Sequence, residues 1–481
     1  MMRVFVAVLV CVMGSSGQPL RTIPVEVNFA KKLQPWDGFG FNYVEAAQTR
    51  DYAKNPQEYG GYHFLQEKQK EEINALVFGK EGLDVDLLKM FLDPWHQAEA
   101  GAKFDHETTT RNMMRFALDG AKRKNLVVLT TLYGPPAWAT KQGWIGGRDL
   151  DSTKMPALVN YVLDWVGYLR GKGLDVCYVS PHNEGEDFYR WTFEEGRQRQ
   201  EGFDYNAYWR PEEVNLFVKT AAAEIRRRGW RNLAPTNGEP SNWTRFYHWG
   251  YAAALAEDAA ALRDLGLVTT HGFVNGDMTK MSYGTAQGLT MDTLQAKRPD
   301  LRAWVTSMSW GNMDTRFVRM VHENIYAAGA NAVIPWAGIQ HAASWIGGDP
   351  NPGTAIRVKE DGSYEVTRGY YFYKQLTQAG RRGMRVVYTM AANSQVHVLG
   401  FSGEGTPHAD AFVVSSSIAT WGLPLRIVVK GSRAQRFRAF RTDEAGKEEY
   451  RDLGEFAVVG GAIEYDPPKG TTTTFVGVGG S

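Results

Sequence analysis

From about residue 70 to residue 380 the chain alternates between short, β-rich apolar runs and longer stretches whose apolar residues recur at helical spacing. Strand-like runs lie within Gly82–Leu92, Leu126–Leu132, Asp175–Ser180, Asn232–Thr236, Leu267–Thr270, Leu301–Thr306 and Ala332–Trp336. Helical stretches separate many of them, at Arg111–Lys124, Pro156–Gly171, Pro211–Arg228, Tyr247–Leu262 and Arg316–Ala328. In the second of these, Leu158, Val159, Val162, Leu163, Val166 and Leu169 share one face. Strands joined through helices pair in parallel, with the helices packed outside the sheet. A count approaching eight predicts an α/β fold closed as a (β/α)8 TIM barrel. No Gly-rich phosphate loop follows any of these runs, which removes the commonest reason to prefer an open nucleotide-binding sheet.

Beyond about residue 383 the texture changes. Met384–Thr389, Val396–Phe401, Ala411–Ser415, Leu425–Val429, Arg436–Phe440 and Thr474–Val478 are short alternating runs with Gly, Ser or Pro between them. That pattern predicts a second, smaller antiparallel β-sandwich domain. With 481 residues, the chain has room for one large barrel and such a companion. There is no repeat, long linker or low-complexity tail, so the two parts are expected to pack together.

The first residues, Met-Met-Arg, precede an apolar run from Val4 to Met13 and the small residues Gly14 to Gly17. This is the layout of a secretory signal peptide over residues 1–17, too short for a permanent membrane span, so a secreted or periplasmic location is expected. Removing it takes away Cys11 and leaves Cys177 as the lone cysteine, unable to form an internal disulfide. Cys177 lies in an apolar run, where packing is its expected role. Lys+Arg (54) and Asp+Glu (53) nearly cancel, which argues against nucleic acid or an anionic membrane as partner. The stretch Arg226–Arg228 ends a helix and reads as a solvated face. Asn242-Trp-Thr244 fits a glycosylation sequon. With 15 Trp and 22 Tyr the chain is rich in flat amphipathic rings, a minority of which suit stacking on sugars.

Barrel enzymes place their chemistry on the loops after the C-terminal ends of the strands. Among those loops, Val179-Ser-Pro-His-Asn-Glu-Gly-Glu186 stands out. A carboxyl just past a buried strand is partly desolvated, which keeps it protonated and fits Glu184 for general acid work. The alternative is a loop cap or a pair with Arg190. Asn183 is placed to hydrogen-bond a sugar hydroxyl. Trp138, Trp310, Trp336 and Trp345 stand at strand ends or in the following loops, as stacking platforms or as packing beneath a site. His271 is read as orienting a catalytic group or binding a hydroxyl. No metal-ligand cluster surrounds it, and neither a metal nor a cofactor is expected.

Ser180-Pro-His-Asn-Glu184 resembles the acid/base motif after the fourth strand of clan A glycoside hydrolases, and most of all the Ser-Pro-Gln-Asn-Glu-Pro stretch of family 30. Trp36-Asp-Gly-Phe-Gly40 is similar to that family's opening segment, and Gly134-Pro-Pro-Ala-Trp138 to its loop after the third strand. Ala234–Glu239 looks like the fifth strand, Thr270–Phe273 like the sixth, and Trp336 like the eighth-strand tryptophan. The resemblance runs from about residue 25 to the C-terminus. It implies a barrel over residues 38–382, a β-sandwich that takes residues 20–37 as well as 383–481, a carbohydrate partner and action on glycosidic bonds.

One departure stands against it. The family's nucleophile is a Glu after the seventh strand, and the matching stretch Trp304-Val-Thr-Ser307-Met-Ser-Trp310 puts Ser307 there. A neutral hydroxyl does not replace a carboxylate that captures an oxocarbenium-like centre. Four alternatives stay open: an inverting route with another carboxylate as base (Glu239 first, then Asp314, Glu186 and Asp93), a nucleophile supplied by the substrate, a glycan-binding relative without hydrolysis, or an engineered serine. The loops Arg50–Gln69 and Phe188–Tyr208 read as insertions that shape the cleft. The sugar, its linkage and the oligomeric state are not legible.

Overall fold

The computed structural model describes residues 22–46, 59–186, 205–273, 288–309, 314–341, 354–417 and 423–479. Residues 1–17, Arg190, Trp310 and Trp345 lie outside the described residues.

The first strand, β1 (Ile23–Pro35), belongs to the β-rich part, and the chain then enters the barrel. The barrel strands are β2 (Gly38–Asn42), β3 (Leu87–Leu92), β4 (Val127–Leu132), β5 (Val176–Ser180), β6 (Ala234–Pro235), β7 (Val268–Thr270), β8 (Ala303–Ser309) and β9 (Ala332–Trp336). They form one eight-stranded sheet in the order β6-β5-β4-β3-β2-β9-β8-β7, parallel throughout. A parallel bridge between Thr236 and Leu267, at the ends of β6 and β7, closes the ring. The barrel read from the alternation is present. Its first strand, β2, belongs to the Gly-Phe-Gly segment, where none of the five residues is β-branched and two are glycines.

Helices α1 (Glu67–Phe78), α2 (Arg111–Arg123), α3 (Met155–Gly171) and α4 (Pro211–Arg227) wrap the first half of the ring. The helix expected over Tyr247–Leu262 is instead three: α5 (Trp243–His248), α6 (Tyr251–Glu257) and α7 (Ala259–Asp264). Gly250 takes a left-handed φ of 85° that ends the first turn, and Asp258 caps α7 by accepting the Ala261 N–H. Then come α8 (Leu289–Gln295), α9 (Thr315–Tyr326) and, after the three short strands β10 (Ile339–Gln340), β11 (Ile356–Val358) and β12 (Tyr364–Val366), α10 (Arg368–Ala379). None of the described helices is long and apolar enough to cross a membrane.

Parallel strands covered by helices are buried on both faces, and all six residues of β3 and of β4 are buried. Alternation sorts them. Leu88, Met90 and Leu92 face the helices in the main core, while Leu87 points inward to a plug with Val127, Leu129, Leu267, Trp304, Ala332 and Ile334. The next inward layer is polar, and it carries the site described below.

The β-rich part adds β13 (Arg385–Ala391), β14 (Val396–Ser402), β15 (Ala411–Ser416), β16 (Leu425–Lys430), β17 (Arg436–Asp443), β18 (Arg451–Ala457), β19 (Ala462–Tyr465) and β20 (Thr471–Gly477). All nine strands are hydrogen-bonded in one sheet, β18-β17-β20-β15-β14-β13-β1-β16-β19, antiparallel except where β1 meets β16. The sheet curls over one core in which Phe29, Phe412, Phe437, Tyr465 and Phe475 meet, so residues from both ends of the strand order touch, as Phe456 does Tyr465. The two parts are packed together: Tyr326 of α9 donates to the Val387 carbonyl at 3.0 Å, and buried Gln375 of α10 bonds Thr442 and Thr474.

Candidate active site

At the C-terminal ends of the barrel strands, six side chains from different strands or the loops after them join in one hydrogen-bonded network. Lys89 is the inward-facing third residue of β3. It is fully buried, pairs with the Glu239 carboxylate and donates to Ser307 Oγ at 2.8 Å. Its ammonium also lies 4.5 Å from the centroid of the Phe91 ring. Thr131, inward-facing on β4, donates to the other Glu239 oxygen at 2.5 Å. His271, just past β7, lies with Nε2 3.2 Å from Glu239 Oε2 and Nδ1 3.0 Å from Glu184 Oε1. Glu184, Glu239, His271 and Ser307, all singled out in the sequence, are thus brought together. Each is 3% exposed or less.

The backbone fixes how the two carboxylates sit. Past β5 and β6 the chain continues as a parallel bridge between Asn183 and Glu239, and the Glu184 N–H donates to the Glu239 carbonyl at 2.8 Å. Glu184 adopts φ 42°, a left-handed conformation that costs a non-glycine residue about 1 to 3 kcal/mol and persists only where the surroundings enforce it. His182 forms part of those surroundings. Its Nδ1 accepts the Gly185 N–H at 3.1 Å, and it packs against Trp209 and Gly238. Burial pushes its imidazole down to about 3, so it is neutral. A Cβ on Gly238 would stand 2.0 Å from His182 Nε2, and Gly238 has φ 82°, so only glycine fits beside the ring.

Charges in the network follow from the partners. Burial opposes ionisation of Glu239, but Lys89, His271 and the Thr131 hydroxyl all favour the carboxylate, and its acid form is held down to about 2. Burial lowers the Lys89 ammonium, and the Glu239 charge works against that. An ionised carboxylate only accepts hydrogen bonds, so His271 Nε2 carries a hydrogen towards Glu239. Nδ1 and Glu184 Oε1 then face each other with one proton between them: either Glu184 is a neutral acid donating to Nδ1, or His271 is an imidazolium donating to a carboxylate. In both states the Glu184–His271 bond stores one transferable proton.

Several expected residues lie elsewhere or are tied up. Asp93 accepts from Trp95 N–H and His96, Glu186 from Ser241 N–H and Arg245, and Asp314 caps α9 and pairs with Arg316. As alternative bases these three are engaged away from Glu184. Asn183 donates to Asn206 at 3.1 Å. Trp336 ends β9 and stacks on Tyr59 at 5.4 Å, whereas Trp138 packs edge-on against Tyr161 at 6.0 Å. Both are half-buried. Lys89 and Thr131 were not read from the sequence. A signal for Lys89 existed: it is the one charge inside Leu87-Leu-Lys-Met-Phe-Leu92, and burying a charge in a strand demands a partner. Among the described residues no group of three or more His, Cys, Asp or Glu is arranged to hold a metal ion.

A closed parallel barrel joined to a curled β-sheet that takes an N-terminal strand is the fold of family 30 glycoside hydrolases. A GH30 endoxylanase from Clostridium papyrosolvens C71 matches with a TM-score of 0.67 at 18% identity, covering 94% of this chain and 99% of that one. The catalytic domain of the GH30 xylanase C from Talaromyces cellulolyticus matches with a TM-score of 0.71 at 16% identity, covering 95% and 100%. The endo-β1,6-glucanase BT3312 matches with a TM-score of 0.66 at 15% identity, covering 96% and 94%. No protein-family model matches the sequence, and no curated protein matches it. At these identities the likeness is one of fold.

Proposed function

We propose that this protein is an exported glycoside hydrolase that cleaves O-glycosidic bonds of a poly- or oligosaccharide, with Glu184 protonating the departing sugar oxygen. The observation that carries the reading is the 3.0 Å hydrogen bond between Glu184 Oε1 and His271 Nδ1, on a carboxyl that a strained backbone holds at the end of a barrel strand. Glycosidic oxygens leave poorly as alkoxides, and a positioned acid is worth about 10² to 10⁴ in rate. The structural neighbours described as xylanases and a glucanase support the class of bond.

Glu239 serves this reaction best as a positioning residue. A carboxylate held down to about 2, fully buried and already bonded by Lys89, Thr131 and His271 is a weak proton acceptor. Its part is to set the His271 tautomer that holds the Glu184 proton. Asn183, Trp336 and Trp138 remain the proposed sugar contacts.

A second reading, a glycan-binding relative without hydrolysis, is favoured by one observation: a serine hydroxyl accepting from a lysine stands where a carboxylate nucleophile is expected. A panel of plant, algal and bacterial glycans with product detection separates the two. Sugar release by the wild type that vanishes in Glu184→Gln supports the hydrolase. Tight binding without release in any condition establishes the binder.

A further inference from the structure

The network leaves one hydrogen-bond donor unspent. Glu239 and Ser307 take hydrogen bonds from the Lys89 ammonium, and the Phe91 ring lies beside it. Ser307 Oγ accepts from that ammonium, so its own hydrogen points elsewhere, and among the described residues it is given to no acceptor. A hydroxyl that accepts from a buried cation is polarised by it and becomes a stronger donor. This donor stands at the end of β8, at the far end of the chain of bonds Ser307–Lys89–Glu239–His271–Glu184 that begins at the proposed acid.

The same position lacks what a single-acid glycosidase needs. Glu184 supplies a proton, yet Glu239 is spent as an ion-pair partner, and Asp93, Glu186 and Asp314 are engaged elsewhere. A serine side chain also has three fewer heavy atoms than a glutamate, so Ser307 itself fills less of this position than the expected carboxylate would. A buried donor backed by a cation suits an oxyanion.

Resting on the reading of Glu184 as proton donor, we propose that the Ser307 hydroxyl, backed by Lys89, seats an oxyanion from solution, inorganic phosphate, which acts as the nucleophile, so that the glycosidic bond is cleaved by phosphate and not by water. In this step the bond between the anomeric carbon and the leaving oxygen breaks as the Glu184 proton passes to that oxygen. A hydrogenphosphate oxygen forms the new bond to the anomeric carbon from the opposite face. The hydrogen carried in by phosphate returns to Glu184. The products are a shortened glycan and a glycosyl 1-phosphate of inverted anomeric configuration, and nothing is oxidised or reduced.

The test incubates the full-length protein with the glycan panel in matched buffers containing inorganic phosphate, sodium formate or chloride, with glycosyl phosphate followed by 31P NMR and free sugar by chromatography. The proposal expects release that depends on phosphate, a sugar 1-phosphate as the first product, and a loss of about a hundredfold in Ser307→Ala. Ser307→Glu, which puts a carboxylate where phosphate would sit, is expected to release free sugar independently of phosphate. Free sugar at equal rates in all three buffers, or equal acceleration by formate without a glycosyl phosphate, overturns the phosphate proposal and leaves hydrolysis standing. Absence of release in every buffer, for wild type and Ser307→Glu alike, overturns both.

Discussion

A lysine inside a barrel strand is tolerable only while something compensates its charge, and the compensation runs both ways. In Lys89→Met the Glu239 carboxylate stays fully buried with its cation gone, and breaking one side of a buried pair costs about 3 to 5 kcal/mol. Chemical denaturation of this variant is expected to show a loss of that size. The double variant Lys89→Met/Glu239→Gln is expected to recover part of it, because the unpaired charge is removed too. A double variant that is less stable by the full sum of the two single losses would mean that the residues do not act on one another. At this scale the sequence was informative about residue types and silent about direction. Glu184, Glu239, His271 and Ser307 could be named because they follow strands at the loops where barrels carry chemistry. Lys89 and Thr131 sit within strands, and whether such a residue faces the helices or the barrel axis depends on closure of the ring, which no local pattern states.

Elements were legible in proportion to their burial pattern. The run Ala332–Trp336 matches its strand residue for residue, and Pro211–Arg228 ends one residue from α4, because each is bounded by its own stop signal. The long helix expected from Tyr247 failed because apolar spacing continued across Gly250 and Asp258 while the backbone did not. Asp258 is the residue that makes the break: its side chain caps α7 and pairs with Lys219. Asp258→Ala is expected to cost about 1 kcal/mol in a urea titration, since the cap outweighs the solvent-screened pair with Lys219 at this half-buried site. An unchanged midpoint would mean that α7 starts without it. The strand β18 escaped notice for the opposite reason. As an edge strand, Arg451-Asp-Leu-Gly-Glu-Phe-Ala457 has several exposed charges where an inner strand would show alternation. Residues 342–353 between β10 and β11, Trp345 among them, lie outside the described residues.

Taken as a whole, the molecule buries imidazoles both far from the proposed proton donor and beneath it. His322 on α9 is pushed down to about 3 by burial, and His397 on β14 to about 4; their rings lie 5.3 Å apart where the barrel meets the curled sheet. His182 beneath the site is also pushed down to about 3. A histidine whose folded pKa lies below its unfolded value binds protons more readily in the unfolded chain. Its stabilising contribution is therefore complete above pH 6.5 and is lost as pH falls towards 3 to 4, at about 1.4 kcal/mol per pH unit for each fully buried group. Glu239, held down to about 2, adds a loss of the same sign below pH 4.5. Unfolding free energy measured against pH is expected to be level near neutrality and to fall steeply below pH 6. His322→Phe is expected to make the fall shallower. A curve that stays flat down to pH 4 would contradict the burial described here.

Proton donation by Glu184 is tested most directly by leaving-group dependence. Once the panel identifies a cleaved glycan, wild type and Glu184→Gln are compared on it and on an aryl glycoside of the same sugar whose phenolate departs without a proton. Glu184→Gln is expected to lose about 10² to 10⁴ in rate on the glycan while keeping most of its rate on the aryl glycoside. Equal losses on both substrates, or none on the glycan, would contradict the assignment.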